Sequence, residues 1–165
     1  MTSGNPMKNK QIQRLYSFED IRNIIAQYGL GADRLNDPDI LGPLFAKDAI
    51  WRCEGFGEFK GRKAIKHALR SIAETRILWS FHAMATPWIN VCEKNLTATA
   101  KWALWELSKV TDDSGHSQDS IMAGFYDTRL VHEESRWLIK HMDLKICLQS
   151  PYPAEFITPH QDRQT

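Results

Sequence analysis

Between Ser17 and Asn36 the apolar residues Phe18, Ile21, Ile24, Ile25, Tyr28 and Ala32 recur at three- and four-residue intervals. That spacing lays them on one face of an α-helix. Ser17 reads as the N-cap, with Asp20 three residues on as in a capping box and Glu19 at the positive helix end. The helix is expected to end near Leu35–Asn36, just before Asp37-Pro38. Gly29 and Gly31 inside it each cost about 1 kcal/mol against alanine, which points to close packing on another element. Asp39–Phe45 reads as a short second helix and Ala49–Cys53 as a strand. A glycine-punctuated hairpin follows around Glu54-Gly55-Phe56-Gly57. Arg62 to about Glu74 is an amphipathic helix with Ile65, Ala68, Leu69 and Ile72 on one side.

The period then changes to two. Leu78–Ala85, Pro87–Glu93, Thr97–Lys109, Ser120–His132 and Arg136–Leu148 read as strands. Turn signals separate them at Asp112-Asp113-Ser114-Gly115 and Glu133–Ser135. Helices first and an antiparallel meander after them is α+β organisation. The expected architecture is a curved antiparallel sheet wrapped around N-terminal helices, a cone with a single pocket. Residues 1–15 read as a flexible leader, 16–150 as the domain and 151–165 as a polar, proline-containing tail.

Composition narrows the function classes. With 21 basic and 20 acidic residues in 165, the formal net charge is +1. This gives no electrostatic reason to expect nucleic acid or an anionic membrane as partner. No run approaches the roughly 18 apolar residues of a transmembrane helix, and the first residues lack the apolar core of a signal peptide. Cytoplasmic residence is the default expectation. Cys53, Cys92 and Cys147 form neither a disulfide framework nor a zinc pattern and read as three buried thiols. The histidines lack HxH or HExxH spacing, no carboxylate cluster suits a hard cation, and no phosphate-binding loop is present. No metal and no cofactor are therefore expected.

Several strand faces mix apolar and ionisable residues. Ala98, Ala100, Trp102 and Leu104 share a face with Glu106, and Ser80 and Met84 share one with His82. In the last strand Trp137, Ile139, His141, Asp143, Lys145 and Cys147 alternate with Leu138, Lys140, Met142, Leu144, Ile146 and Leu148. Such a face suits a pocket wall, or a sheet that emerges into solvent. On the first helix Asp33 follows the apolar side, and a buried carboxylate needs a partner. His82 is the candidate. A carboxylate on one imidazole nitrogen fixes the tautomer and leaves the other nitrogen as a base. The alternative is a satisfied core histidine and a surface carboxylate.

The Tyr28/Asp33 helix, the segment Trp51-Arg52-Cys53-Glu54-Gly55-Phe56-Gly57-Glu58-Phe59-Lys60-Gly61, His82, the Trp102–Glu106 strand and Gly124-Phe125-Tyr126-Asp127 occur in an order that resembles a known family. It is the SnoaL-like branch of the nuclear-transport-factor-2-like superfamily, of cystatin-like fold, and the resemblance covers roughly Tyr16 to Pro151. Within it the pattern is similar to scytalone dehydratase, bile-acid 7α-dehydratase and hexachlorocyclohexane dehydrochlorinase. The resemblance implies that Asp33 and His82 form a catalytic pair and that Tyr28 hydrogen-bonds a substrate oxygen or leaving group. Glu106 stands where the bile-acid enzyme has an aspartate, and Lys145 where it has an arginine, so a carboxylate and a charge are kept while a bidentate fork is lost.

The implied activity is a cofactor-free, dehydratase-like β-elimination on a small, mostly apolar cyclic molecule. His82 would remove the proton, Tyr28 and Lys145 would assist the departing group, and Glu106 would act as a second acid/base. Trp51, Trp102 and Phe125 would supply pocket wall or core. Two alternatives share the fold: an isomerase or polyketide-cyclase-like enzyme with the same base, and a non-catalytic small subunit of a ring-hydroxylating dioxygenase or a ligand-binding module. The resemblance also implies a homodimer or homotrimer packed through the outer sheet faces, for which Leu138, Met142, Leu144 and Ile146 are candidates.

Overall fold

The computed structural model describes residues 6–152 apart from Glu93, Asn95 and Asp113. The first five residues of the expected leader, and the tail beyond Tyr152, lie outside the described residues. Helix α1 (Pro6–Asp33) is followed by α2 (Pro38–Leu41), a 3₁₀ turn (Gly42–Leu44), β1 (Phe45–Cys53), β2 (Gly57–Lys60) and α3 (Arg62–Arg76). The meander is β3 (Ile77–Cys92), β4 (Thr97–Thr111), β5 (Ser117–Glu133) and β6 (Arg136–Pro151). One six-stranded sheet results, in the order β2-β1-β6-β5-β4-β3.

The predicted apolar stripe of α1 is the buried one: Ile21, Ile24, Ile25, Tyr28 and Ala32 all face the core. The helix does not start at Ser17, however. It runs back to Pro6, and Ser17 is interior, its hydroxyl donating to the Gln13 carbonyl. Residues 7–16 are helical yet exposed, so nothing in their burial marked them as helix. Gly31 permits the close packing expected of it: a Cβ there would meet Leu41 Cδ2 at 2.6 Å. Phe45, Ile65, Leu130, Ile139 and Met142 close the core, each stabilising by about 1.5–3 kcal/mol through burial.

Three features of the sheet differ from the sequence reading. The segments Leu78–Ala85 and Pro87–Cys92 belong to one strand, β3, interrupted by a register shift between Ala85 and Trp88; Glu93, included in the second segment by the sequence reading, lies outside the described residues. Strand β6 pairs antiparallel with β5 but parallel with β1, because the meander returns its last strand beside the first one in the same direction. Bulges also shift the β5–β6 register between Arg129 and Leu130 and between Ala123 and Gly124. An extra residue reverses the inward and outward sides of everything beyond it. Gly124 allows the second bulge, since a Cβ there would lie 2.5 Å from the Lys145 carbonyl oxygen.

The first bulge decides the faces of β6. Met142 is buried, and Leu144 and Ile146 pack on the core, so the set proposed for an outer oligomer face points inward instead. Leu138 is buried as well. Among the exposed large apolar residues, the ladders place Phe81, Trp105, Phe125 and Leu148 on neighbouring strands. Of the three cysteines only Cys53 is buried; Cys92 and Cys147 are exposed free thiols near strand ends. No helix among the described residues is long and apolar enough to cross a membrane.

Candidate functional site

Asp33 ends α1, where a carboxylate meets the negative end of the helix. Two donors on β3 offset this. Its Oδ1 accepts the His82 backbone N–H at 2.9 Å and lies 2.7 Å from His82 Nδ1. The bond expected between the helix end and the strand is therefore present. It fastens α1 to the sheet as well as orienting the imidazole.

The other side of the ring is also occupied. His82 and Glu106 are cross-strand partners in the β3–β4 ladder, and Nε2 lies 3.2 Å from Glu106 Oε2. Burial disfavours the imidazolium, but the bonds to Asp33 and Glu106 outweigh it and raise the His82 pKa to about 9. For Glu106 burial pushes upward, while the His82 bond and the Ser108 hydroxyl together hold it below the usual carboxylate value. Both shifts favour the charged forms of the His82–Glu106 pair.

Tyr28 forms a second polar knot. Its oxygen accepts Trp51 Nε1–H at 2.9 Å, and its hydrogen bond with Tyr126 lowers its own pKa while raising that of Tyr126, as when Tyr126 is the donor. Burial nevertheless pushes the Tyr28 phenol well above its ordinary value, so it stays protonated. An oxygen that accepts two bonds becomes a stronger O–H donor. The Tyr28 and Tyr126 rings meet edge to face at 5.7 Å. Burial, with Glu106 and Glu54 nearby, pushes the Cys53 thiol up to about 12, so it lines the site as an unionised group.

Tyr28, Trp51, His82, Glu106, Met122 and Tyr126 enclose a cavity of about 60 Å³ at the core. A second space of about 130 Å³ adjoins it, sharing Phe56, Ile77, Glu106 and Met122 as walls. Both fall below the ~300 Å³ at which ligand pockets usually start, even taken together. Phe56, at the tip of the β1–β2 hairpin, stands in the shared wall. Two larger, open hollows of about 490 and 860 Å³ are lined by residues such as Arg129 and His141 or Lys101 and Asp127, the second sharing Cys53, Tyr126 and Leu144 with the inner cavity's lining.

Five predicted residues thus converge: Tyr28, Asp33, Trp51, His82 and Glu106. Trp102 packs one layer away in the core, stacked on Tyr126 at 4.9 Å with its Nε1–H on Met84 Sδ. Lys145 and Phe125 are not at the site. They are ladder partners and line the open hollow beside Asp127 and Asp143. Their neighbours Leu144 and Tyr126 point inward in their place. The sequence reading also missed Tyr126 and Ser108. The alternation Met122, Gly124, Tyr126, Thr128, Leu130 carries no charge, whereas the opposite set contains Asp127 and Arg129; that contrast marks Tyr126 as inward. No group of three or more metal-ligating side chains occurs among the described residues.

The family model for the SnoaL-like domain matches residues 13–143, from within α1 to the middle of β6. The chain belongs to the SnoaL-like domain family. No curated protein matches it in sequence. Among solved structures, this SnoaL-like protein is similar to a type 2 hexachlorocyclohexane dehydrochlorinase. The TM-score is 0.81 at 15% identity, covering 92% of this chain and 99% of the other. A protein from Novosphingobium aromaticivorans named for scytalone dehydratase follows with a TM-score of 0.74 at 19% identity, covering 93% and 99%. An NTF2-like protein with a cystatin-like fold from the same organism gives 0.67 at 21%, covering 88% and 92%. These likenesses establish the α+β cystatin-like fold of the SnoaL-like chain.

Proposed function

We propose that this protein is a cofactor-free lyase that eliminates a small group from a mostly apolar cyclic substrate. The observation that carries the reading is the Asp33–His82–Glu106 trio, hydrogen-bonded end to end on the wall of an otherwise aromatic and aliphatic cavity. Proton transfer to and from carbon needs a titratable group held at fixed geometry away from bulk water. Tyr28 adds an O–H donor for an oxygen that gains charge. A purely structural subunit has no use for a buried histidine bonded to two carboxylates, whose desolvation is costly. The names borne by the similar structures, a dehydrochlorinase and a scytalone dehydratase, agree with elimination chemistry. We further propose self-association into a homodimer or homotrimer through the exposed Phe81/Trp105/Phe125/Leu148 face.

The test is a lyase screen over hydroxylated and halogenated cyclic compounds, including scytalone and hexachlorocyclohexane. His82→Ala is assayed beside the wild type, with circular dichroism to establish that it folds. Turnover abolished in a folded His82→Ala protein is the expected result. Full turnover without His82 sinks the reading.

A further inference from the structure

We propose that Arg76 holds an anionic arm of the substrate, so that the molecule taken into the inner cavity is a ring carrying a carboxylate. The inference rests on the lyase reading and deepens it by adding a second point of recognition to the same site. It starts from the space of about 130 Å³ that adjoins the core cavity and shares Phe56, Ile77, Glu106 and Met122 with it. Arg76 lines this outer space, and it is the only lysine or arginine lining either space among the described residues.

Three elements bring polar groups to the outer space. Arg76 is the last residue of α3 and Thr111 the last of β4. The Ile77–Val110 pair stands at that end of the β3–β4 ladder, so Arg76 and Thr111 lie one step beyond it at the same rim. Gln149 on β6, the ladder partner of Met122, lines the space beside them. None of these three side chains has a hydrogen bond or ion pair with a described residue. The other two arginines of α3 differ. Arg62 Nε donates to the Phe45 carbonyl at 2.7 Å, and Arg70 Nε donates to Glu74 Oε1 at 2.7 Å. Ser108, which also lines the space, is bonded to Glu106.

Charge fixes which way round a substrate lies. His82 is the other cationic group of the cavity, but both its ring nitrogens already face carboxylates. An added anion is repelled by Asp33 and Glu106 at that end and attracted by Arg76 at the other. The ring therefore points toward His82 and the charge toward α3. One guanidinium with a hydroxyl and an amide beside it matches a single negative charge, and its planar fork fits a carboxylate. A phosphate monoester carries nearly two charges, which one cation close to the Glu106 carboxylate does not balance. The competing role for Arg76 needs no ligand: a basic residue in the last turn of a helix faces its negative end.

Binding to the full chain separates the two roles, with cyclohexanecarboxylate as probe and cyclohexanecarboxamide as its neutral twin. Calorimetric titration should show the carboxylate binding at least about tenfold tighter than the amide, as a hydrogen bond to a charged group outweighs a neutral one. Arg76→Gln should abolish that preference. Arg76→Lys should keep part of it, because the charge stays and the fork is lost. In ¹H–¹⁵N NMR the Arg76 Nε–Hε signal, assigned by its loss in Arg76→Lys, should move with the carboxylate and not with the amide. That signal decides the matter even if Arg76→Gln does not fold. Equal affinity for the two probes, no binding of the carboxylate, or a preference intact in Arg76→Gln overturns the proposal. A lower melting temperature in Arg76→Gln with the preference intact leaves Arg76 the helix end alone. None of this needs turnover. A carboxylate held by Arg76 with nothing eliminated in the lyase screen sinks the lyase reading only, and turnover of neutral rings with no carboxylate preference sinks this inference only.

Discussion

Nε2 of His82 and Oε2 of Glu106 face each other at 3.2 Å across the β3–β4 ladder, on the ring edge opposite Asp33. The relationship arises from register alone. Strand alternation puts both residues on the inward side, and the antiparallel pairing sets them directly opposite. A histidine so placed is tied to the fold through its charge.

Stability should therefore depend on pH in a defined direction. The His82 pKa is raised from 6.5 to about 9, so its contribution is complete below the lower value and is lost as pH rises through the upper one. Glu106 is lowered from 4.5, so its contribution is present above that value and lost as pH falls below it. Urea midpoints should be highest between about pH 5 and 6.5 and decline toward about pH 9.5. His82→Gln should flatten the alkaline limb. An unchanged wild-type midpoint across that limb contradicts the charged pair.

Asp33→Asn separates orientation from anchoring. The amide oxygen can still accept the His82 backbone N–H that now bonds Asp33 at 2.9 Å, so the variant should fold. It cannot balance an imidazolium, and the ring loses its charged partner on Nδ1. Turnover should fall by about 10²–10⁴-fold, the range typical of acid–base groups, and the melting temperature should fall as well, because the stability linked to the raised His82 pKa goes with the Asp33 charge. If Asp33→Asn fails to fold, its anchoring of α1 to β3 is the dominant role.

Tyr28→Phe removes the oxygen that receives Trp51 Nε1–H and the bond from Tyr126. Both donors are then left buried without an acceptor. Each orphan costs about 1–3 kcal/mol, so thermal melting should drop even with no substrate present. Adding Tyr126→Phe should cost less than it does alone, because one donor has already lost its partner. Strict additivity of the two melting shifts would mean that the hydroxyls are not coupled.

The contrast between these residues and Lys145 explains what the sequence could reveal. Amphipathic periods located α1 and α3, and the turn chemistry at Glu54–Gly57 and Glu133–Ser135 located the hairpins, the latter with Glu134 and Ser135 at positive φ. The Asp33–His82 pair stands in the sequence as one of two readings and is singled out by the family resemblance, while the contact of His82 with Glu106 follows from the β3–β4 register, which the sequence does not show. The faces of β6 were not legible. A period-two reading assumes an unbroken ladder, and the bulge at Arg129/Leu130 leaves no mark in hydrophobicity. The exposed first turns of α1 were missed because they bury nothing.

Lys145 gives the last test, since strand parity and sequence resemblance point in opposite directions. Its side chain is exposed and lines the open hollow with Lys101 and Asp127, while the adjacent Leu144 lines the inner cavity. A cation on the far side of the sheet is shielded from the cavity by the intervening layer and screened by water and salt. Lys145→Ala should therefore leave kcat/KM within about twofold and the pH profile unmoved, because exposed charges away from a site contribute little. Leu144→Ala, one residue earlier, should change KM by enlarging the cavity. A large loss from Lys145→Ala with Leu144→Ala neutral would mean that β6 is shifted by one residue, and with it the whole inward face.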